Sequence, residues 1–110
     1  MADRESSKQD DELRRQIAEL LAGGLETEVF PRAETSDMVN EFTSRLRAEA
    51  GDNLEKKLKI GGFTDYMIEV DDIEQPCETC MYYLVHRKYC ELPELDLPVE
   101  AEWSCRLWRI

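Results

Sequence analysis

All four cysteines of this 110-residue chain lie in its last third, at positions 77, 80, 90 and 105. The 76 residues before them contain none, so the thiols are concentrated in one stretch of sequence. Four converging thiolates can hold a tetrahedral zinc ion or an iron–sulfur cluster. The pattern therefore predicts one metal or cluster site in the C-terminal part of the chain, with Cys77, Cys80, Cys90 and Cys105 as its ligands.

The charge of the chain excludes some classes of partner. It has 25 acidic against 14 basic residues and a formal net charge of -11. Residues 61–110, which contain the cysteines, carry 11 acidic and 4 basic side chains. A nucleic-acid-binding module needs a basic surface to meet phosphates, and anionic membranes attract basic segments. We therefore expect neither nucleic acid nor a membrane as a partner, whereas an acidic surface suits a protein partner or serves solubility.

The first residues of the chain bear on the cellular compartment in which we expect the protein. The first residues contain no apolar run that could act as a secretory signal or a membrane anchor. We therefore expect a cytoplasmic protein. In that compartment thiols stay reduced, which disfavours structural disulfides and favours metal binding.

Three segments can be distinguished along the chain. Residues 1–9 predict a disordered tail, residues 10–62 an acidic helical region, and residues 63–110 the four-cysteine region. A chain of this length is expected to join the two larger segments in one compact domain. Helices are expected over residues 12–22, from a capping residue at 35–37 to Gly51, and over residues 54–60 before a pair of glycines.

After residue 62 the apolar pattern changes from helical to alternating. Residues 66–70 and, more regularly, residues 99–107 predict strands. The second pattern places Cys105 on the apolar face between Trp103 and Leu107, where a packed interior would fix a ligand. Trp108 falls on the other face, and we expect it to cover a neighbouring loop or to mark a contact surface. The predicted fold class is α+β: N-terminal helices, then a small irregular cysteine-ligated region with short strands.

The ligand spacing favours a cluster over a single ion. Cys77 and Cys80 can bind one centre together, whereas Cys90 and Cys105 come singly from distant positions. A structural zinc ion usually takes two pairs of close ligands, and a cubane cluster suits one pair with two separate ligands. A structural zinc site with four cysteine ligands, in an interaction or assembly module, remains the alternative. Redox-active thiols need a cation or a helix start beside the cysteine, and the acidic residues before Cys77 argue against them.

The C-terminal third is similar to the high-potential iron–sulfur protein (HiPIP) family. The pieces that carry the resemblance are Cys77-Glu78-Thr79-Cys80, Cys90-Glu91-Leu92-Pro93 and Trp103-Ser104-Cys105-Arg106-Leu107-Trp108. Members of this family bind a 4Fe-4S cluster through C-x2-C, a cysteine followed by Leu and Pro, and a cysteine bracketed by tryptophans. The resemblance covers roughly residues 76–110 and implies that the four cysteines are cluster ligands. It also implies an aromatic shell formed by Tyr82 or Tyr83, Trp103 and Trp108.

The expected function follows from this resemblance. No Ser/His/Asp arrangement, phosphate-binding glycine loop or paired acid–base motif occurs in the sequence, so we do not expect an enzyme. The resemblance implies electron transfer, and similar cluster folds occur as small accessory subunits of larger cytosolic enzymes. We therefore expect a 4Fe-4S cluster-binding protein that acts in electron transfer or as an accessory subunit, with a redox partner or a larger enzyme as its protein partner.

Overall fold

Three helices come first in the chain and two small antiparallel sheets follow. The computed structural model describes the backbone of residues 2–109 and the side chains of residues 8–109. The helices are α1 (Ala2–Ala22), α2 (Ser36–Arg45), which continues as a π-helical turn (Leu46–Ala50), and α3 (Leu54–Gly61). The predicted α+β class is confirmed.

Helix α1 is longer than the sequence pattern predicts. That pattern starts the helix near residue 12 and assigns residues 1–9 to a disordered tail, whereas the helix begins at Ala2; Met1 lies outside the described residues. Ile17 is fully buried, and Leu13, Leu20 and Leu21 pack against the same core. Residues 3–12 include no proline or glycine, the residues that most disfavour a helix, so the helix can extend towards the N-terminus beyond residue 12. No helix of the described chain is both long and apolar enough to cross a bilayer.

The ends of α2 and α3 follow their sequence signals. Thr35 Oγ1 accepts a hydrogen bond from the backbone N–H of Met38 at 3.2 Å, and Asn53 Oδ1 accepts one from Lys56 at 3.0 Å. Each bond satisfies an N–H group that the first helical turn leaves without a partner. Gly62 ends α3 with a left-handed backbone, at a φ of 62°. The predicted second and third helices are confirmed.

The strands are short and antiparallel: β1 (Glu69–Val70), β2 (Ile73–Glu74), β3 (Tyr83–Leu84), β4 (Tyr89–Cys90) and β5 (Leu97–Pro98). Strands β1 and β2 form a hairpin, and the other three form a sheet in the order β3-β4-β5. Asp71 and Asp72 both have positive φ, as the tight turn of a two-residue hairpin requires. The strand predicted over residues 66–70 is thus limited to its last two residues.

The segment from residue 99 to residue 107 is not a strand, although its alternation predicts one. Within the described chain its ladder pairing is a single antiparallel bridge between Thr64 and Ser104. Ser104 and Arg106, which the pattern places towards solvent, are 0% and 2% exposed. The prediction is wrong because the backbone groups of this segment bond to separate partners, at Thr64, Gly61 and Ala33, and not to one neighbouring strand. Cys105 is nevertheless buried, as the pattern predicts.

Residues 101–109, here called the closing segment, join the two regions of the chain. Arg106 O accepts a hydrogen bond from the Ala33 N–H at 2.9 Å, and the Arg106 N–H donates to Gly61 O at 2.9 Å. In the four-cysteine region, Trp103 O accepts from the N–H of Cys77 at 2.6 Å. Buried side chains of both regions belong to one hydrophobic core. The closing segment therefore holds the cysteines against the helices.

Candidate metal centre

The four cysteines line one cavity. Its volume is about 10 Å³, close to the space that one water molecule needs. Apart from the thiols, the walls are aromatic and aliphatic. The lining residues are Phe63, Cys77, Cys80, Tyr82, Tyr83, Cys90, Leu92, Leu95, Cys105, Leu107 and Trp108. The thiols thus converge on one small apolar cavity.

Different elements bring the four cysteines to this cavity. Cys77 begins a 3-10 turn (Cys77–Thr79), and the N–H of Cys80 donates to Cys77 O at 2.9 Å. Cys90 ends β4, the central strand of its sheet, and Cys105 lies in the closing segment. Cys80 is half-buried, whereas the other three cysteines are buried. The site is therefore closest to solvent at Cys80.

Seven of the eight predicted site residues lie in the cavity wall: the four cysteines with Tyr82, Tyr83 and Trp108. The indole N–H of Trp108 donates to Pro76 O and to Thr79 Oγ1, both at 3.0 Å, so this ring covers the turn between Cys77 and Cys80. Trp103 differs from the expectation. It is buried, but it lines a groove against α1 rather than the cavity.

Burial favours the protonated form of these thiols. It raises the pKa of Cys105 to about 12, and the neighbouring Cys80 thiol adds to the effect. Burial is also the largest cause of the raised pKa of Cys77 and of Cys90, and the Cys105 thiol is the next cause for both. Each of these three thiols therefore responds to the charge of at least one other cysteine of the site. A metal centre could replace their protons with positive charge.

Nearby backbone N–H groups lower the pKa of two of the thiols. The N–H of Leu92 acts on the Cys90 thiol, and those of Leu107 and Trp108 act on the Cys105 thiol. This effect opposes part of the effect of burial on the same pKa values. Hydrogen bonds to cysteine sulfur are one of the means by which proteins set the reduction potential of an iron–sulfur cluster.

Arg32 and Phe63 also belong to the site, and sequence reasoning misses both. Arg32 is 5% exposed, and its Nη2 donates to Cys105 O at 2.8 Å. Burial lowers the pKa of this guanidinium, whereas the thiols of Cys105 and Cys77 act in the opposite direction. No local pattern marks Arg32, because it stands in a loop 73 residues before Cys105. Phe63 directly follows the glycine pair that ends α3, where only its apolar character hints at burial.

The donor set consists of four thiols, which are ligands both of a tetrahedral zinc ion and of an iron–sulfur cluster. A Zn–S bond of about 2.3 Å puts the sulfurs of a tetrahedral site ~3.8 Å apart. Among residues 8–109, no three His, Cys, Asp or Glu side chains are placed to hold one metal ion. Four thiols in the walls of one apolar cavity are also the ligand types that a 4Fe-4S cluster takes.

Comparison with known proteins gives no match: no protein-family model, no curated protein and no solved structure matches this chain. Its function is therefore inferred from its own residues and their geometry.

Proposed function

We propose that this chain binds a 4Fe-4S cluster through the thiolates of Cys77, Cys80, Cys90 and Cys105. The observation that carries the proposal is the convergence of all four cysteines on one apolar cavity. The Cys77–Thr79 turn and the residue after it supply two ligands close in sequence, and β4 and the closing segment supply one each. When bound, such a cluster would take up or release one electron at a time.

The residues around the thiols suit a group that must be kept from water and oxygen. Leu95 and Leu107 are 0% and 1% exposed on the inner side of the cavity. Tyr82, Tyr83 and Trp108 are half-buried and cover the side that is nearer to solvent. Together with the backbone N–H groups that lower the pKa of Cys90 and Cys105, this dry lining would set the reduction potential of the site.

We propose that the chain either exchanges electrons with a protein partner or is a small accessory subunit of a larger enzyme. The helical region supports the subunit role, because a bare electron carrier does not need it. Apolar surface supports a protein partner, since Met81, next to Cys80, is 57% exposed and Val85 is 76% exposed. A cytoplasmic location belongs to the same proposal, because a reducing compartment keeps the thiols available as ligands.

Analysis of metal and sulfide tests the cluster. Protein purified without air should contain about four irons and about four acid-labile sulfides per chain, with absorption near ~400 nm. One zinc and no sulfide would contradict the proposal and identify the alternative, a zinc ion held by the four cysteines in an interaction or assembly module. A protein that contains neither iron nor zinc would contradict both the cluster and the zinc alternative.

A pair of variants tests the ligand assignment. Cys105→Ser removes one ligand, and its iron content should fall from about four per chain to near none. Leu107→Met changes the cavity wall beside it at nearly constant volume and should keep its iron. A Cys105→Ser protein with unchanged iron content would contradict the assignment of Cys105 as a ligand.

A further inference from the structure

Arg32 is a buried cation whose hydrogen-bond partners are all neutral. Its Nε and Nη2 donate to Gln75 Oε1 at 3.0 and 2.8 Å. Nη2 also donates to Ser104 Oγ at 3.0 Å and to Cys105 O at 2.8 Å. At 5% exposure the guanidinium is largely removed from water, so its charge is weakly screened.

The other buried arginines of the described chain each have a carboxylate nearby. Arg14 lies 2.7 Å from Asp11 and 3.5 Å from Glu100. Arg106 lies 3.5 Å from Glu28. Among residues 8–109, no carboxylate lies within ion-pair distance of Arg32. An arginine buried without an anion is costly, because the protein must remove it from water without a compensating charge.

The groups that could compensate this charge are the site's own sulfurs. Arg32 binds the backbone of Cys105 directly, and through Gln75 and Ser104 it is tied to the segments that carry Cys77 and Cys105. Its guanidinium responds electrostatically to both of those thiols. Four thiolates outweigh the positive charge of a 4Fe-4S core, so a loaded site is an anion buried beside this cation.

We propose that Arg32 is the internal counter-cation of the four-cysteine site and that its charge raises the reduction potential of the bound cluster. The inference rests on the proposed cluster. Reduction by one electron makes the site more negative by one charge, and a fixed cation nearby stabilises that state more than the oxidised one. The electron comes from an electrode or a mediator dye, and the guanidinium keeps its protons throughout.

The test compares Arg32→Gln with Arg32→Lys, both loaded with iron and sulfide in the same way as the unchanged protein. Arg32→Gln removes the charge, and its reduction potential should shift to a lower value. Arg32→Lys keeps the charge, and its potential should stay close to that of the unchanged protein. Glu78→Gln is a matched control: it changes one charge beside Cys77 on an exposed side chain, where water screens it, so its shift should be smaller.

Gln75→Glu provides a second test in case Arg32→Gln does not hold the cluster. The new carboxylate would lie at the position of Gln75 Oε1, which is 2.8 Å from Arg32 Nη2, and would neutralise the cation without removing it. Its potential should also shift to a lower value. If the cluster in Arg32→Gln or in Gln75→Glu has the same reduction potential as the cluster in the unchanged protein, the proposed role of Arg32 is wrong.

The two proposals fail in different ways. Iron and sulfide are measured on the unchanged protein before any potential, and their absence would overturn the cluster itself. A full complement of iron and sulfide together with equal potentials in all variants would leave the cluster in place and overturn only the role of Arg32.

Discussion

A buried thiol is a weak nucleophile but a good ligand once a metal replaces its proton. Cys105 is 6% exposed, and burial raises its pKa to about 12, so almost none of it is thiolate at neutral pH. Disulfide exchange and nucleophilic catalysis both use the thiolate, and this environment disfavours them. Binding a metal centre at the same residue must release its proton, which makes loading of the site depend on pH.

The metal-free protein should lose stability in alkaline solution. The ordinary pKa of a cysteine is 9.0, and that of folded Cys105 is about 12, so the unfolded chain loses this proton first as the pH rises. The contribution of Cys105 is complete below about pH 9 and is lost towards pH 12, at up to roughly 1.4 kcal/mol per pH unit. Urea unfolding in the presence of a reductant and a chelator, at several pH values from about 8 upwards, measures this fall.

Cys105→Ser is the control for that experiment, because a serine hydroxyl does not ionise in this range. Its free energy of unfolding should decrease less steeply above about pH 9 than that of the unchanged protein. Equal slopes for the two proteins would show that Cys105 does not carry the effect.

The sequence predicts well those helices whose start and end are marked by residues within a few positions of the helix itself. The cap of α2 at Thr35 and the glycine that ends α3 are local, and both are confirmed. The alternation over residues 99–107 is also local, but the structure of this segment is decided by distant partners such as Ala33 and Gly61. A pattern of period two indicates which residues are apolar, and it does not reveal that Ser104 is also covered.

Gly62 is the position where the end of α3 tolerates least change. Its φ is +62°, and a Cβ there would lie 2.3 Å from the carbonyl oxygen of Glu28. Gly62→Ala should destabilise the protein by roughly 2–4 kcal/mol, because the left-handed backbone costs about 1–2 kcal/mol and rotation of a side chain cannot relieve a clash with backbone. The midpoint of urea unfolding measures the loss.

Gly24, which ends α1, offers a matched comparison. Its φ is +95°, but a Cβ there would meet no atom within 4 Å. Gly24→Ala should therefore cost only about 1–2 kcal/mol, from the backbone conformation alone. Equal losses in the two variants would contradict the close contact at Gly62.

On the scale of the whole molecule, the side chain of Arg14 makes several of the polar contacts between α1 and the four-cysteine region. Arg14 is 7% exposed and donates to three backbone carbonyls, those of Val99 at 3.1 Å, Lys88 at 2.8 Å and Arg87 at 3.2 Å. The side chain of Arg87 in turn reaches back to Asp10 on α1, at 2.7 Å. The helical region and the cysteine region are therefore connected by polar contacts as well as by their shared core.

Arg14→Gln should loosen this connection. The shorter side chain cannot reach all three carbonyls, and a buried carbonyl without a partner costs about 1–3 kcal/mol. We expect a loss of about 2–3 kcal/mol in urea unfolding and faster proteolytic cleavage within α1. Arg15→Gln changes the neighbouring arginine, which is exposed and pairs with Glu12 and Glu19 at the surface, and should leave both measurements nearly unchanged.

The candidate site could be predicted from the sequence in part. The spacing of the cysteines and the aromatic residues beside them identify seven residues that line the cavity. The sequence does not identify Arg32, because the loop that carries it comes 73 residues before its partner Cys105. It misplaces Trp103, because helix α1 lies against the groove that this ring lines.

The closing segment has a consequence for how the protein is made. On the ribosome the helical region emerges first. A further 73 residues must be synthesised after Arg32 before the carbonyl of Cys105 can accept its hydrogen bond. Until then the N–H of Ala33 and the carbonyl of Gly61 also have no native partner. We therefore expect the nascent chain to remain incompletely folded through most of translation, and delivery of iron and sulfide to follow synthesis. Slower production in cells with ample capacity for cluster assembly should then increase the yield of loaded protein.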